Sequence, residues 1–155
     1  MTANLSLLQN FKNSDFYKDP FPHVIIHDAL PKSVYEKLIN AAPINLIPDR
    51  SLDNMRGNIY LNQLENNLEN KIFFDFLNYH SSNEYYEEFV SIFKDQLNDH
   101  YPNLIETTRK LIKKKQILKL GSNNSKKKNF MTFHSSYAYN TPVKSSHVVT
   151  GPHLD

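Results

Sequence analysis

His153 and Asp155 stand two residues apart at the C-terminal end of the sequence. Along a strand, alternate side chains project from one face, so an imidazole and a carboxylate at this spacing can reach one cation. They are two of the three donors of the facial arrangement that holds Fe(II) and leaves the remaining coordination positions open to reactants. The chain has no cysteine. Disulfides and thiolate sites are therefore excluded, and any metal must be held by His, Asp or Glu. His134 and His147 lie nearby in sequence, while His23 and His27 flank an apolar stretch and read as ordinary edge residues.

The elements that must position this pair can be followed from the N-terminus. Val24-Ile25-Ile26 is β-branched and continuous, which predicts a buried strand. Pro31 then opens a helix, Val34, Leu38 and Ala42 give it one apolar stripe, and Pro43 stops it. The polar stretch that follows, to about Gly57, reads as loop. Leucines and phenylalanines from Leu61 to Leu77 recur near helical spacing and predict a second helix between Asn62 and Tyr79. Ser81 and Glu84 have capping-box spacing, and Tyr86, Phe89, Val90, Phe93 and Leu97 form the stripe of a third helix that Pro102 ends. A short helix is expected over Leu104 to Ile112 and a strand over Gln116 to Leu120. Ser122 to Lys128 reads as a surface loop. From Phe130 to Tyr139 the pattern changes to period two, which predicts a strand. Val148-Val149 begins another extended segment that carries His153 and Asp155.

The 155 residues suffice for one domain, and 39% hydrophobic with 22% charged residues is ordinary globular usage. No apolar run approaches membrane-spanning length. Met1 to Lys12 lacks the basic and apolar regions of a secretory signal, so a soluble cytoplasmic protein is the expectation. The net charge of +2 conceals an asymmetry. Met1 to Glu106 holds 8 Lys/Arg against 15 Asp/Glu, whereas Thr107 to Asp155 holds 10 Lys/Arg and one acid. The basic half could face an anion, or it could be a solvated helix face with a lysine-rich loop.

The segment YAYNTPVKSSHVVTGPHLD (Tyr137 to Asp155) resembles the metal-binding region of prolyl 4-hydroxylase-like Fe(II)/2-oxoglutarate-dependent oxygenases. The opening FPHVIIHDALPKSVYEKLINAAP (Phe21 to Pro43) and the helix NEYYEEFVSIF (Asn83 to Phe93) are similar to that family's first strand and helix and its scaffold helix. The resemblance implies an α+β fold, with N-terminal helices packed on a double-stranded β-helix of jelly-roll type. Residues 1–155 would form one incomplete domain. Residues 1–120 would be a mostly helical scaffold with an early strand, and 121–155 the start of the metal-binding barrel. His153 and Asp155 match the first two iron ligands. Tyr139 matches the tyrosine that hydrogen-bonds 2-oxoglutarate, with Tyr137 on the same strand face as the alternative. The family places a third ligand, a His, and an Arg or Lys for the far carboxylate of 2-oxoglutarate downstream of Asp155. The resemblance thus implies a dioxygenase in the complete form, this chain being a truncated or split portion inactive alone, with Fe(II), 2-oxoglutarate and ascorbate as accessory reductant. Its substrate would be a small molecule or a peptidyl residue, and a downstream polypeptide would supply the third ligand.

A second reading is a non-catalytic module that uses the basic 109–128 region on an anionic partner such as nucleic acid. The run lacks the interleaved aromatic residues of a base-stacking surface, which argues against nucleic acid.

Overall fold

A computed structural model describes residues 5–47, 55–65, 67–113, 117–119, 131–133 and 135–141. Helices and short strand pairs mix along the chain, an α+β arrangement. A 3-10 turn, Asn13–Asp15, leads into strands β1 (Phe16–Tyr17) and β2 (His23–Val24), which pair antiparallel with Phe16 opposite Val24. The expected buried strand is thus a two-residue edge pair. Val24 and Ile26 are half-buried, and Ile25 is 48% exposed. The Phe93 ring packs on Phe16 at 5.5 Å, but a ribbon only two residues long cannot enclose a β-branched run on both faces.

Helix α1 (Lys32–Asn40) forms as its pattern predicts. Val34 and Leu38, one turn apart, are its buried residues. Pro31 is the N-cap rather than the first helical residue, and its carbonyl accepts the N–H groups of Val34 and Tyr35. The helix closes when Ala41 N–H donates to the Lys37 carbonyl, two residues before Pro43. A 3-10 turn, Ile44–Leu46, follows.

Arg56–Tyr60 is strand β3, where the sequence reading had a loop to about Gly57. It runs directly into α2 (Leu61–Leu64). A 3-10 turn (Leu68–Asn70) and α3 (Lys71–His80) come next, so the single helix expected over this region is three pieces. Asn70 is buried at the joint, where its side-chain amide donates to the Ala41 carbonyl at 2.8 Å and ties the start of α3 to the end of α1.

Helix α4 (Asn83–His100) is capped by Ser82, whose hydroxyl accepts from Tyr85 N–H at 3.2 Å. The expected cap, Ser81, is one residue early. Its N–H is taken by the Leu77 and Asn78 carbonyls, so it terminates α3 instead. Asn103, in the left-handed region at φ 71°, turns the chain into α5 (Leu104–Lys113). Asparagine tolerates that conformation better than most residues. Beyond it, β4 (Ile117–Lys119) pairs parallel with β5 (Met131–Phe133), and β6 (Ser136–Asn140) pairs antiparallel with β3.

The core sits where these elements meet. Ile59 of β3, Leu64 of α2 and Leu77 of α3 are almost wholly buried, with Phe73, Phe76, Tyr137 and Tyr139 packed around them. Burying three such aliphatic side chains stabilises the fold by about 1.5–3 kcal/mol each.

Candidate functional site

The β3–β6 pair places the two tyrosines singled out from the sequence. Ile59 faces Tyr137 and Gly57 faces Tyr139 across the ladder. With period two, both rings lie on the core side of β6, while Ala138 and Asn140 are exposed. The Tyr137 ring meets Phe73 edge-on, at a centroid distance of 5.5 Å and an angle of 88°. The Tyr139 ring crosses directly over Gly57, where a Cβ would approach Tyr139 Cε1 to 2.8 Å. Only glycine leaves that space. The pair is closed at its end by Thr141, which is buried. Its N–H donates to the Met55 carbonyl, and its hydroxyl accepts Met55 N–H at 2.7 Å.

Tyr137 also contributes to an open apolar groove of about 1050 Å³ between α1 and α3. Leu7, Tyr35, Ile39, Phe73 and Phe76 line it with Tyr137, and Asn10, Asp28 and Lys32 bring polar groups. Tyr35 is 57% and Ile39 53% exposed. Sequence reasoning missed this groove. The signal was present on α1, where Tyr35 and Ile39 form a second apolar row beside Val34 and Leu38.

A half-buried polar cluster joins α3, α4 and the N-terminal segment. The Glu88 carboxylate of α4 accepts hydrogen bonds from the Ser6 and Tyr79 hydroxyls. His80 Nδ1 contacts the Phe76 carbonyl at 2.8 Å, and its Nε2 faces Leu7 N–H at 3.4 Å. The ring is enclosed by Phe76, Tyr79 and Tyr85, with centroids 4.2, 5.5 and 4.4 Å away. Burial lowers the imidazole pKa, against the Phe76 hydrogen bond and the Glu88 charge, which favour the protonated ring. Tyr79 is pushed up to about 12 by desolvation and by its hydrogen bond to Glu88. Desolvation and the same carboxylate raise Tyr85.

Of the four residues expected to bind metal or cosubstrate, Tyr137 and Tyr139 are brought together on one strand face. His153 and Asp155 lie outside the described residues, as do His134 and His147. Among the described residues, no three His, Cys, Asp or Glu side chains gather to hold a metal. His23 stacks on Tyr17 at 5.3 Å, and His27 is exposed. The basic region is described only as far as Lys113 and at 117–119. There Arg109 makes a two-pronged bond to Glu87 and Lys110 pairs with Glu106. The Arg109 hydrogen bonds lower the Glu87 pKa, and those of Lys110 lower that of Glu106. Two of the cations offered to an anionic partner are therefore already engaged. Among the described residues, no helix is long and apolar enough to cross a membrane. No protein-family model, curated protein or solved structure matches the chain.

Proposed function

We propose that this chain is the N-terminal part of a prolyl 4-hydroxylase-like Fe(II)/2-oxoglutarate-dependent dioxygenase, its helices packed on the opening strands of a double-stranded β-helix. The observation that carries the reading is the His153/Asp155 pair, fourteen residues beyond a strand tyrosine. The shared face of Tyr137 and Tyr139, on a strand paired to distant β3, supports it.

The donor set fits ferrous iron in kind, since imidazole and carboxylate suit that metal. His153 and Asp155 would hold it, with a third donor from sequence downstream in the complete protein. Bound there, iron would supply the chemistry by which dioxygen gives one atom to succinate, as 2-oxoglutarate loses carbon dioxide, and the other to a substrate C–H bond. Tyr139, or Tyr137 in its place, would donate its hydroxyl hydrogen to a carboxylate oxygen of 2-oxoglutarate and orient it. The apolar surface around Tyr137 would keep water from the reacting groups.

The test is succinate formation from 2-oxoglutarate with Fe(II) and ascorbate. A chain extended through the downstream coding sequence is expected to turn over, and the 155-residue chain is expected not to, because two donors hold Fe(II) weakly. His153→Ala in the extended chain is expected to abolish turnover. Retained activity in that variant would remove His153 as a ligand. Equal rates for the short and extended chains would overturn the role given to downstream residues.

A further inference from the structure

The N-terminal segment 5–11 has no regular secondary structure, yet it is fastened at two places. On one side Ser6, only 1% exposed, donates to Glu88 while its oxygen accepts Leu8 N–H at 3.1 Å. Beside it, Leu7 N–H points at His80 Nε2. On the other side the Gln9 and Asn10 side-chain amides donate to the Ala29 and Asp28 carbonyls, at 3.0 and 2.8 Å. Between these fastenings, Leu7 and Asn10 form part of the groove wall. The segment therefore spans from the α3–α4 pair to the turn that leads into α1.

One of the two fastenings depends on a single proton. The Phe76 carbonyl can only accept, so His80 Nδ1 must carry a hydrogen. In the neutral ring Nε2 is then a bare acceptor, which is what Leu7 N–H requires. Protonation puts a hydrogen on Nε2 and sets two donors face to face. The new cation also attracts Glu88, the carboxylate that holds Ser6. We propose that residues 5–11 are a pH-sensitive strap that closes one side of the α1–α3 groove, and that its α3–α4 end loosens when His80 gains a proton while the Gln9 and Asn10 end stays fastened.

The groups that face His80 among the described residues come from three places. From α4 come Tyr85 and Glu88, from α3 itself comes Tyr79, and Glu84 adds its charge near Tyr79. The strap brings Ser6 and Leu7, neither of them charged. The sign follows from the environment. Burial depresses the imidazole below its ordinary value of 6.5 in the folded chain. The α3–α4 end of the strap is therefore fully held above that value and loosens as pH falls through the depressed one.

Amide hydrogen exchange on the 155-residue chain, corrected for intrinsic rates, tests this. Leu7 protection in the wild type is expected to fall about ten-fold between about pH 7.5 and about pH 5, while Val90 in the middle of α4 holds its protection. In His80→Gln, which keeps an acceptor and does not titrate, Leu7 protection is expected to be level across that range. Constant Leu7 protection in the wild type, or the same fall in the variant, would overturn the proposal. Should the variant not fold, the wild type still decides by NMR. The His80 ring and the Leu7 amide are expected to titrate with one midpoint, and two separate midpoints would also overturn it.

Discussion

Gly57 shows how closely single residues control the β3–β6 face. Its missing side chain is the space the Tyr139 ring occupies. Gly57→Ala is expected to push the ring aside and destabilise the chain by about 1–3 kcal/mol in urea unfolding, the usual cost of overpacking. In a Tyr139→Ala background the same substitution is expected to be nearly neutral, because the clash is gone. A cost unchanged by Tyr139→Ala would place the strain elsewhere. Tyr79 is a comparable case on α3. Its hydroxyl donates to Glu88 beside that of Ser6, and Tyr79→Phe is expected to cost about 0.5–1.5 kcal/mol, the net worth of a hydrogen bond at a half-buried site where water can take the donor's place. The phenol that ionises only near 12 is expected to disappear from the alkaline absorbance titration of that variant.

Individual elements depend on their ends and on their neighbours. Helix α4 rests on one side-chain cap, so Ser82→Ala is expected to cost about 1 kcal/mol in thermal or urea unfolding. Ser81→Ala is expected to leave the α4 cap intact, since the Ser81 N–H that closes α3 belongs to the backbone. The α4–α5 pair is pinned by Glu87 and Arg109, both about half exposed. Glu87 is held below the ordinary carboxylate value by the Arg109 hydrogen bonds. Its coupling to Arg109 is therefore present above about pH 4.5 and is lost as pH falls through the depressed value. A double-mutant cycle is expected to show this coupling at neutral pH, shrinking in acid and in high salt. No coupling at neutral pH would mean that the two helices are held by packing alone.

Across the whole molecule, the core is shared rather than local. Ile59, Leu64 and Leu77 come from β3, α2 and α3, and aromatic residues of α3 and β6 complete their surroundings. Loss of one of them is felt by every element that packs on it. Leu77→Ala is expected to cost about 2–5 kcal/mol, with helix content and tyrosine fluorescence lost in one transition. Separate transitions for the two probes would show that the β3–β6 pair and the helices unfold independently. The same sharing links the groove to the tyrosine strand, because Phe73 touches the Tyr137 ring and both line the groove. A substitution at Phe73 is therefore expected to disturb the tyrosine face as well as the groove.

The sequence alone determined the elements whose information is local. The stripe of Val34 and Leu38 marks α1, the spacing from Tyr86 to Leu97 marks α4, and strict alternation puts Tyr137 and Tyr139 on one face. Each signal lies within one or two turns of helix or a few strand residues. The His153/Asp155 spacing is equally local, although those residues lie outside the described part of the chain. Tertiary structure decided the rest. Nothing local marks Arg56–Tyr60 as a strand, and its first two residues end a stretch that reads as loop, until β6 supplies the ladder that makes it β3, nearly eighty residues away. Choosing Ser82 over Ser81 as the α4 cap required knowing that α3 had already taken the Ser81 N–H. Ser6 and His80 look like unrelated polar residues until folding sets the N-terminal segment against α3 and α4. In each case the deciding partner is far along the chain, and a hydrogen bond or ring contact acts only through space, over a few ångströms.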